Sequence, residues 1–309
     1  MSVGSIHLSQ AGPQVSRLAL GMWRLMTWGL DDAGLLDLIH TAIDLGITTF
    51  DHADIYGDYR CEERFGRALA REPGLRHRLQ LVTKCGIMPV SDRRPAHKVK
   101  HYDTGRGHIL ASVDNSLRDL RSDHIDLLLI HRPDPLMDAD EVAEAFGELR
   151  QSGKVLHFGV SNFTPSQVEL LASRLPFSRT SPVRLVTNEV QFSALYLQPW
   201  FDGTLDQCQR LRVSPMAWSP LGGGRLFHEE SQWAERIRTE MYAAGKALEN
   251  ASLDQVALAW ILKHPARIVP ILGTSQIERV GSAVQAEGLE LSREQWFRIW
   301  VASTGKRLP

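Results

Sequence analysis

The chain is poor in cysteine, nearly neutral, and without a long apolar run. Only three of its 309 residues are cysteine, Cys61, Cys85 and Cys208. That odd count, with no Cys-x-x-Cys spacing, offers neither a disulfide framework nor a zinc or redox motif, so free thiols in a reducing compartment are expected. Lys and Arg number 35 against 36 Asp and Glu, leaving a net charge of −1. This removes the electrostatic case for nucleic acid or an anionic membrane surface as partner. No apolar run approaches the roughly 20 residues of a membrane span. The opening MSVGSIHLSQ lacks the basic-then-apolar pattern of a secretory signal. A cytoplasmic location without a membrane partner is the resulting expectation.

A Gly-x-Gly-x-x-Gly turn is also missing. The segment after the first strand-like run reads LGMWRLM, with one glycine, which argues against an open doubly wound dinucleotide-binding sheet. Strand and helix patterns instead alternate without a linker. Strands are expected over Leu18 to Met22, Thr48 to Ala53, Leu79 to Cys85, Ile125 to His131, Val155 to Val160, Leu185 to Gln191, Val213 to Ser219 and Ile268 to Leu272. Helical periodicity fills the intervals, as over Asp31 to Leu45, Arg106 to Leu120 and Glu229 to Glu249. The pattern predicts an α/β fold, a (β/α)8 TIM barrel forming one domain over residues 1–309. A short N-terminal hairpin around QAGP should precede it. A C-terminal helix, Ser292 to Thr304, should pack Trp296, Phe297 and Trp300 on the barrel wall.

Strand C-terminal ends converge on one face of such a barrel. Four apolar stretches, TTFDHADIYG, LQLVTKCG, HIDLLLIHRP and HFGVSN, end there on polar groups: Asp51, Tyr56, Lys84, His131, Ser161 and Asn162. A buried aspartate needs a cation, and a buried lysine needs an anion. Neighbouring strands lie about 4.8 Å apart, so an Asp51–Lys84 ion pair is expected. Alone it reads equally well as structural, and His131 alone as a polar rim residue. Together with Tyr56 they make a proton-transfer set. An ammonium beside a phenol lowers the phenol pKa, which would fit Tyr56 to act as a general acid. A barrel glycosidase would need two flanking carboxylates. Asp54 and Asp58 are nearby, but no second strand end offers a match.

The ordered motifs LALGMW, FDHADIYG, LVTKCG, IDLLLIHRPDP, GVSNF, NEVQFS, MAWSPLGGG and PILGTS resemble those of the aldo-keto reductases across nearly the whole chain. HADIYG, HRPDPLMDADEV and QWFRI resemble the bacterial YdhF-like branch. The resemblance implies NAD(P)H-dependent reduction of small aldehydes or ketones, with no metal. It implies a catalytic tetrad of Asp51, Tyr56, Lys84 and His131, with Tyr56 as proton donor. Ser161, Asn162 and Gln191 would hold the nicotinamide amide and Trp218 its ring face. Ser219, Pro220, Leu221, Gly222, Gly223 and Arg225 would follow the pyrophosphate. Gly273, Thr274, Ser275 and Arg279 would meet the adenosine phosphate, the last two on one face of a helix. Met22, Trp23 and Asp51 complete the cofactor set, and Trp23, Tyr56 and His131 would touch substrate. Loops carrying Met26, Trp28, His101 and Tyr102 would set specificity. Arg279 favours NADPH. Gly273 stands where many relatives carry lysine, and Ser282 and Ala283 where some carry Glu and Asn, which leaves NADH open as a second cofactor. The alternative is a regulatory subunit that binds nicotinamide without turnover. No signal bears on oligomeric state.

Overall fold

The computed structural model describes residues 2–175 and 183–308. A hairpin comes first, β1 (Ser5–His7) against β2 (Gln14–Ser16), antiparallel. The barrel begins with β3 (Ala19–Gly21), α1 (Asp32–Asp44), β4 (Thr49–Asp51), α2 (Cys61–Leu69) and β5 (Gln80–Cys85). A two-stranded ribbon, β6 (Ile87–Met88) and β7 (His101–Tyr102), then precedes α3 (Arg106–Leu120). Next come β8 (Ile125–Ile130), α4 (Ala139–Gln151), β9 (Val155–Ser161), α5 (Pro165–Arg174) and β10 (Leu185–Gln191). The short α6 (Gln198–Phe201) and α7 (Thr204–Leu211) lead to β11 (Met216–Trp218). After it run α8 (Arg225–His228), α9 (Gln232–Ala247), α10 (Leu253–Leu262), β12 (Val269–Leu272), α11 (Ile277–Gln285) and α12 (Arg293–Thr304). The eight long-range strands close in the parallel order β3-β4-β5-β8-β9-β10-β11-β12, so the expected (β/α)8 barrel is the fold.

Inward side chains of the barrel, Val82, Leu127, Leu129, Met216, Val269 and Ile271, form one cluster with Ile6, Leu8 and Val15 of the hairpin. The hairpin thus plugs the barrel floor with apolar surface, leaving the opposite mouth for polar groups. Local chemistry sets the element ends. The Asp31 carboxylate accepts the Gly34 N–H at 2.8 Å and starts α1. Gly46 stops the turn after it at φ +84, where a Cβ would lie 2.5 Å from the Val3 carbonyl oxygen. As expected, α12 packs by its tryptophans: Trp296 Nε1 donates to the Trp260 carbonyl at 3.0 Å and Trp260 Nε1 donates to that of Trp296 at 3.1 Å.

Three expectations change. The first, second and seventh barrel strands are shorter than their apolar runs, because flanking residues such as Leu18, Met22 and Ala53 are buried without joining the ladder. The loop after β5 contains the ribbon, whose two-residue strands are too short to give a periodic signal. The helix expected from Glu229 starts later. Ser231 Oγ accepts the Ala234 N–H at 3.2 Å and caps α9 there, separating it from α8.

Candidate active site

Asp51 ends β4 and pairs across the ladder with Val82 of β5. Val82 faces the barrel interior. Side chains alternate, so Lys84, two residues on, also points inward, now at the C-terminal mouth. Its Nζ lies 2.6 Å from Asp51 Oδ1, 2.9 Å from the His52 carbonyl oxygen and 3.3 Å from Tyr56 Oη. The expected ion pair is present and dry, with Lys84 0% and Asp51 3% exposed. Tyr56 sits on the turn after β4, its N–H bonded to the Ala53 carbonyl at 3.1 Å. His131 is the first residue beyond β8. Its backbone N–H donates to the Cys85 carbonyl at 2.8 Å, and its ring meets that of Tyr56 edge-on at 5.8 Å.

Burial raises the Asp51 pKa, and the Lys84 ammonium draws it back. On Lys84 burial acts downward, but Asp51, Glu189 and Tyr56 outweigh it, so its pKa rises and the ammonium stays charged. Tyr56 departs from the expectation of a lowered pKa. Burial raises its phenol above the ordinary 10, Lys84 pulls it down, and the Asp51 and Glu189 carboxyls push it up again. Tyr56 is therefore a held proton and not a phenolate. Burial places His131 well below its ordinary 6.5, and Lys84, Arg132 and Lys100 lower it further. The imidazole is neutral at neutral pH, and its buried Nδ1 has no hydrogen-bond partner among the described residues. The neighbouring His52, pushed down to about 3 by burial and then Lys84, instead packs edge-on against Phe65 of α2, centroids 4.5 Å apart.

Sequence reasoning missed Glu189. It is 2% exposed, with Oε2 3.3 Å from Lys84 Nζ. Burial and then Asp51 push its carboxyl up to about 8, against the pull of Lys84. Asp51 and Glu189 face the same ammonium from two sides, and each carboxyl, buried beside the other, is raised. The register hides this residue. Val186 faces the barrel interior, so simple alternation along β10 would turn Asn188 inward. The pairing of β10 with β9 shifts between Leu185 and Asn188, and such an irregularity exchanges the faces beyond it. Glu189 overturns the statement that no second strand end supplies a carboxylate. It lies against Lys84 and Asp51 rather than across a cleft from another acid, so it lends the glycosidase reading no support.

The structure also brings the amide-type groups together. Ser161 Oγ donates to the Glu189 carbonyl at 2.9 Å. Asn162, at φ +61, donates through Nδ2 to Ser161 Oγ at 2.7 Å and accepts from Trp218 Nε1 at 3.1 Å. Gln191 pairs with Trp218 across the ladder. Beyond β11, Ser219 and Gly222 to Gly224 all have positive φ, with Pro220 buried and Leu221 half-buried between them. Gly273, Thr274 and Ser275 follow β12. A Cβ added at Gly224 or Gly273 would meet nothing within 4 Å, so the backbone there is open to an approaching anion.

Other placements differ from the sequence reading. The Met22 side chain is 0% exposed among Leu25 and Leu35, which leaves only its backbone near the mouth. Trp23 is 61% exposed. Arg225 is engaged by Glu229 at 2.6 Å. Ser275 lies outside α11, which begins at Ile277, so Ser275 and Arg279 are not neighbours on a helix face. Arg279 is exposed on the first turn.

Comparison with known proteins agrees with this architecture. The family model described as the Aldo/keto reductase family matches residues 17–302. The chain is 52% identical over 296 residues to "Uncharacterized oxidoreductase YcsN" of Bacillus subtilis, covering 96% of this chain and 97% of that protein. It is 51% identical over 307 residues to "Oxidoreductase YdhF" of Escherichia coli, covering 99% and 100%. A "6-dehydroglucose reductase" of Agrobacterium fabrum is 44% identical over 300 residues, 96% of each chain. Among solved structures, the thermostable aldo-keto reductase Tm1743 in complex with the inhibitor epalrestat matches with a TM-score of 0.79 and 28% identity, covering 97% of this chain and 99% of that one. By the family match and by identity over almost its whole length, the chain belongs to the aldo/keto reductase family.

Proposed function

We propose that this protein is an NADPH-dependent reductase of small aldehydes or ketones, with Tyr56 as proton donor. The observation that carries the reading is Lys84, unexposed, held by Asp51 and Glu189 with its ammonium 3.3 Å from Tyr56 Oη. The neighbouring groups suit a nicotinamide cofactor. Asn162 and Gln191 each carry a donor and an acceptor, as a carboxamide requires. Trp218 offers a flat aromatic face, and the open backbone at Gly222 to Gly224 and Gly273 suits phosphate oxygens. Thr274, Ser275 and Arg279 are assigned to the adenosine 2′-phosphate. When bound, the reduced nicotinamide supplies a hydride to the carbonyl carbon.

The residues of the chain handle the proton. Tyr56 Oη gives its proton to the carbonyl oxygen as the alcohol forms. The phenolate left behind is stabilised by Lys84, whose charge is fixed by the two carboxyls. His131, neutral, donates a hydrogen bond to the same oxygen and orients it. We further infer one domain spanning the chain. No helix among the described residues is long and apolar enough to cross a membrane, in keeping with the cytoplasmic location that belongs to this proposal.

NADPH oxidation followed against a panel of carbonyls tests the reading. The expected result is carbonyl-dependent loss of absorbance at the nicotinamide band. NADPH binding with no oxidation by any member of the panel would favour the regulatory subunit instead.

A further inference from the structure

Lys84, Arg132 and Lys100 are the charged groups that act on the His131 ring, and all three are cationic. Lys84 is paired with Asp51 and in contact with Glu189. Arg132 and Lys100 have no ion-pair partner among the described residues. Arg132 follows His131 directly at the end of β8, is half-buried, and places its guanidinium 5.5 Å from the Trp218 ring centroid across the mouth. Lys100 is exposed and immediately precedes β7. Uncompensated positive charge therefore stands on the His131 side of the mouth. Of the loops assigned to the phosphates, one starts at Ser219, next to Trp218, and the other follows β12; the Arg132 backbone stands apart from both, at the end of β8 beside His131.

A guanidinium over an aromatic face is attracted by the ring's quadrupole. That attraction orients the guanidinium plane but uses none of its N–H donors. Those donors match a planar carboxylate through two parallel hydrogen bonds. Resting on the proposed reductase activity, we infer that the preferred substrates carry an anionic group, a carboxylate in the first instance, beside the reacting carbonyl, and that Arg132 with Lys100 binds that group. In this arrangement Arg132 sets specificity. It is not placed at the reacting atoms, which Tyr56 and His131 hold.

The test compares 2-, 3- and 4-carboxybenzaldehyde with their methyl esters, taking the acid-to-ester ratio of kcat/KM as the readout. At least one isomer should give a ratio of about ten or more in the wild type. The ratio should fall toward one in Arg132→Gln, recover in part in Arg132→Lys, and shrink as salt is added, since exposed charges are screened. Phosphonate analogues of the same aldehydes distinguish a requirement for carboxylate from one for any anion. Ratios near or below one for every isomer overturn the inference, and a high ratio unchanged in Arg132→Gln removes Arg132 from it. If no aldehyde is reduced, the reductase reading fails separately. Calorimetric binding of benzoate against benzamide to the cofactor-loaded protein then decides: preference for benzoate, lost in Arg132→Gln, supports the anion site, and equal binding overturns it. The wild-type ratio and its salt dependence stand even if Arg132→Gln does not accumulate as folded protein.

Discussion

Two regions of the barrel mouth are built in opposite ways. Around β4, β5 and β10 the polar groups are dry and bound to one another, with Lys84 0%, Glu189 2% and Asp51 3% exposed. On the rim after β11 and β12 the backbone is open, glycines take positive φ, and Arg279 is exposed. The difference is one of preorganisation. A proton donor works best when its neighbours are fixed beforehand, because reorganisation at the moment of reaction is costly. A cofactor that binds and leaves needs accessible donors on an open backbone. Removing a buried charge from the first region should therefore damage the fold as well as the chemistry, whereas breaking the second should alter binding alone.

The largest effect expected is that of Lys84→Met. Asp51 and Glu189 would be left buried without their cation. Breaking a buried pair typically costs about 3–5 kcal/mol, so chemical denaturation should show a large loss of stability together with lost carbonyl reduction. Near wild-type stability and turnover would break the contrast.

Glu189→Gln probes the same region more gently. The Glu189 carboxyl sits at about 8 in the folded protein, above its ordinary 4.5. The folded state therefore holds a proton that the unfolded chain has released. That contribution is full below about pH 4.5 and is lost as pH rises through about 8. Glu62 at about 8 and Asp54 at about 7 have the same sign. One such group changes stability by about 1.4 kcal/mol per pH unit inside its window. The fall in melting temperature between pH 5 and about 8 should thus be shallower in Glu189→Gln. An unchanged slope would mean that Glu189 is already ionised at pH 5.

The smallest effect is expected from the rim. Arg279→Ala should weaken NADPH by about 0.2–1 kcal/mol, the range of an exposed charge pair, and leave NADH nearly untouched. Cofactor fluorescence titrations check this, with thermal stability unchanged. Equal losses for the two cofactors would show that Arg279 does not read the 2′-phosphate.

These regions also differed in how far the sequence revealed them. The barrel was legible because apolar runs and helical periodicity alternate eight times. Asp51, Tyr56, Lys84 and His131 were legible because each stands at or just past the end of such a run. Glu189 was not, since a register shift in β10 reverses the inward face. The raised pKa of Tyr56 was not legible either, because it depends on burial and on both carboxyls, whereas sequence adjacency pointed only to Lys84. On the rim the glycines announced an open loop. The spacing of Ser275 and Arg279 misled, because α11 begins two residues after Ser275.

The most direct test of the account is Tyr56→Phe, which removes one hydroxyl from the preorganised region and nothing from the rim. Rates of carbonyl reduction and NADPH affinity should be measured on the same preparation. The account predicts a rate lower by about 10²–10⁴-fold, as for loss of a general acid, with NADPH affinity and melting temperature close to wild type. Carbonyl reduction at the wild-type rate would contradict it.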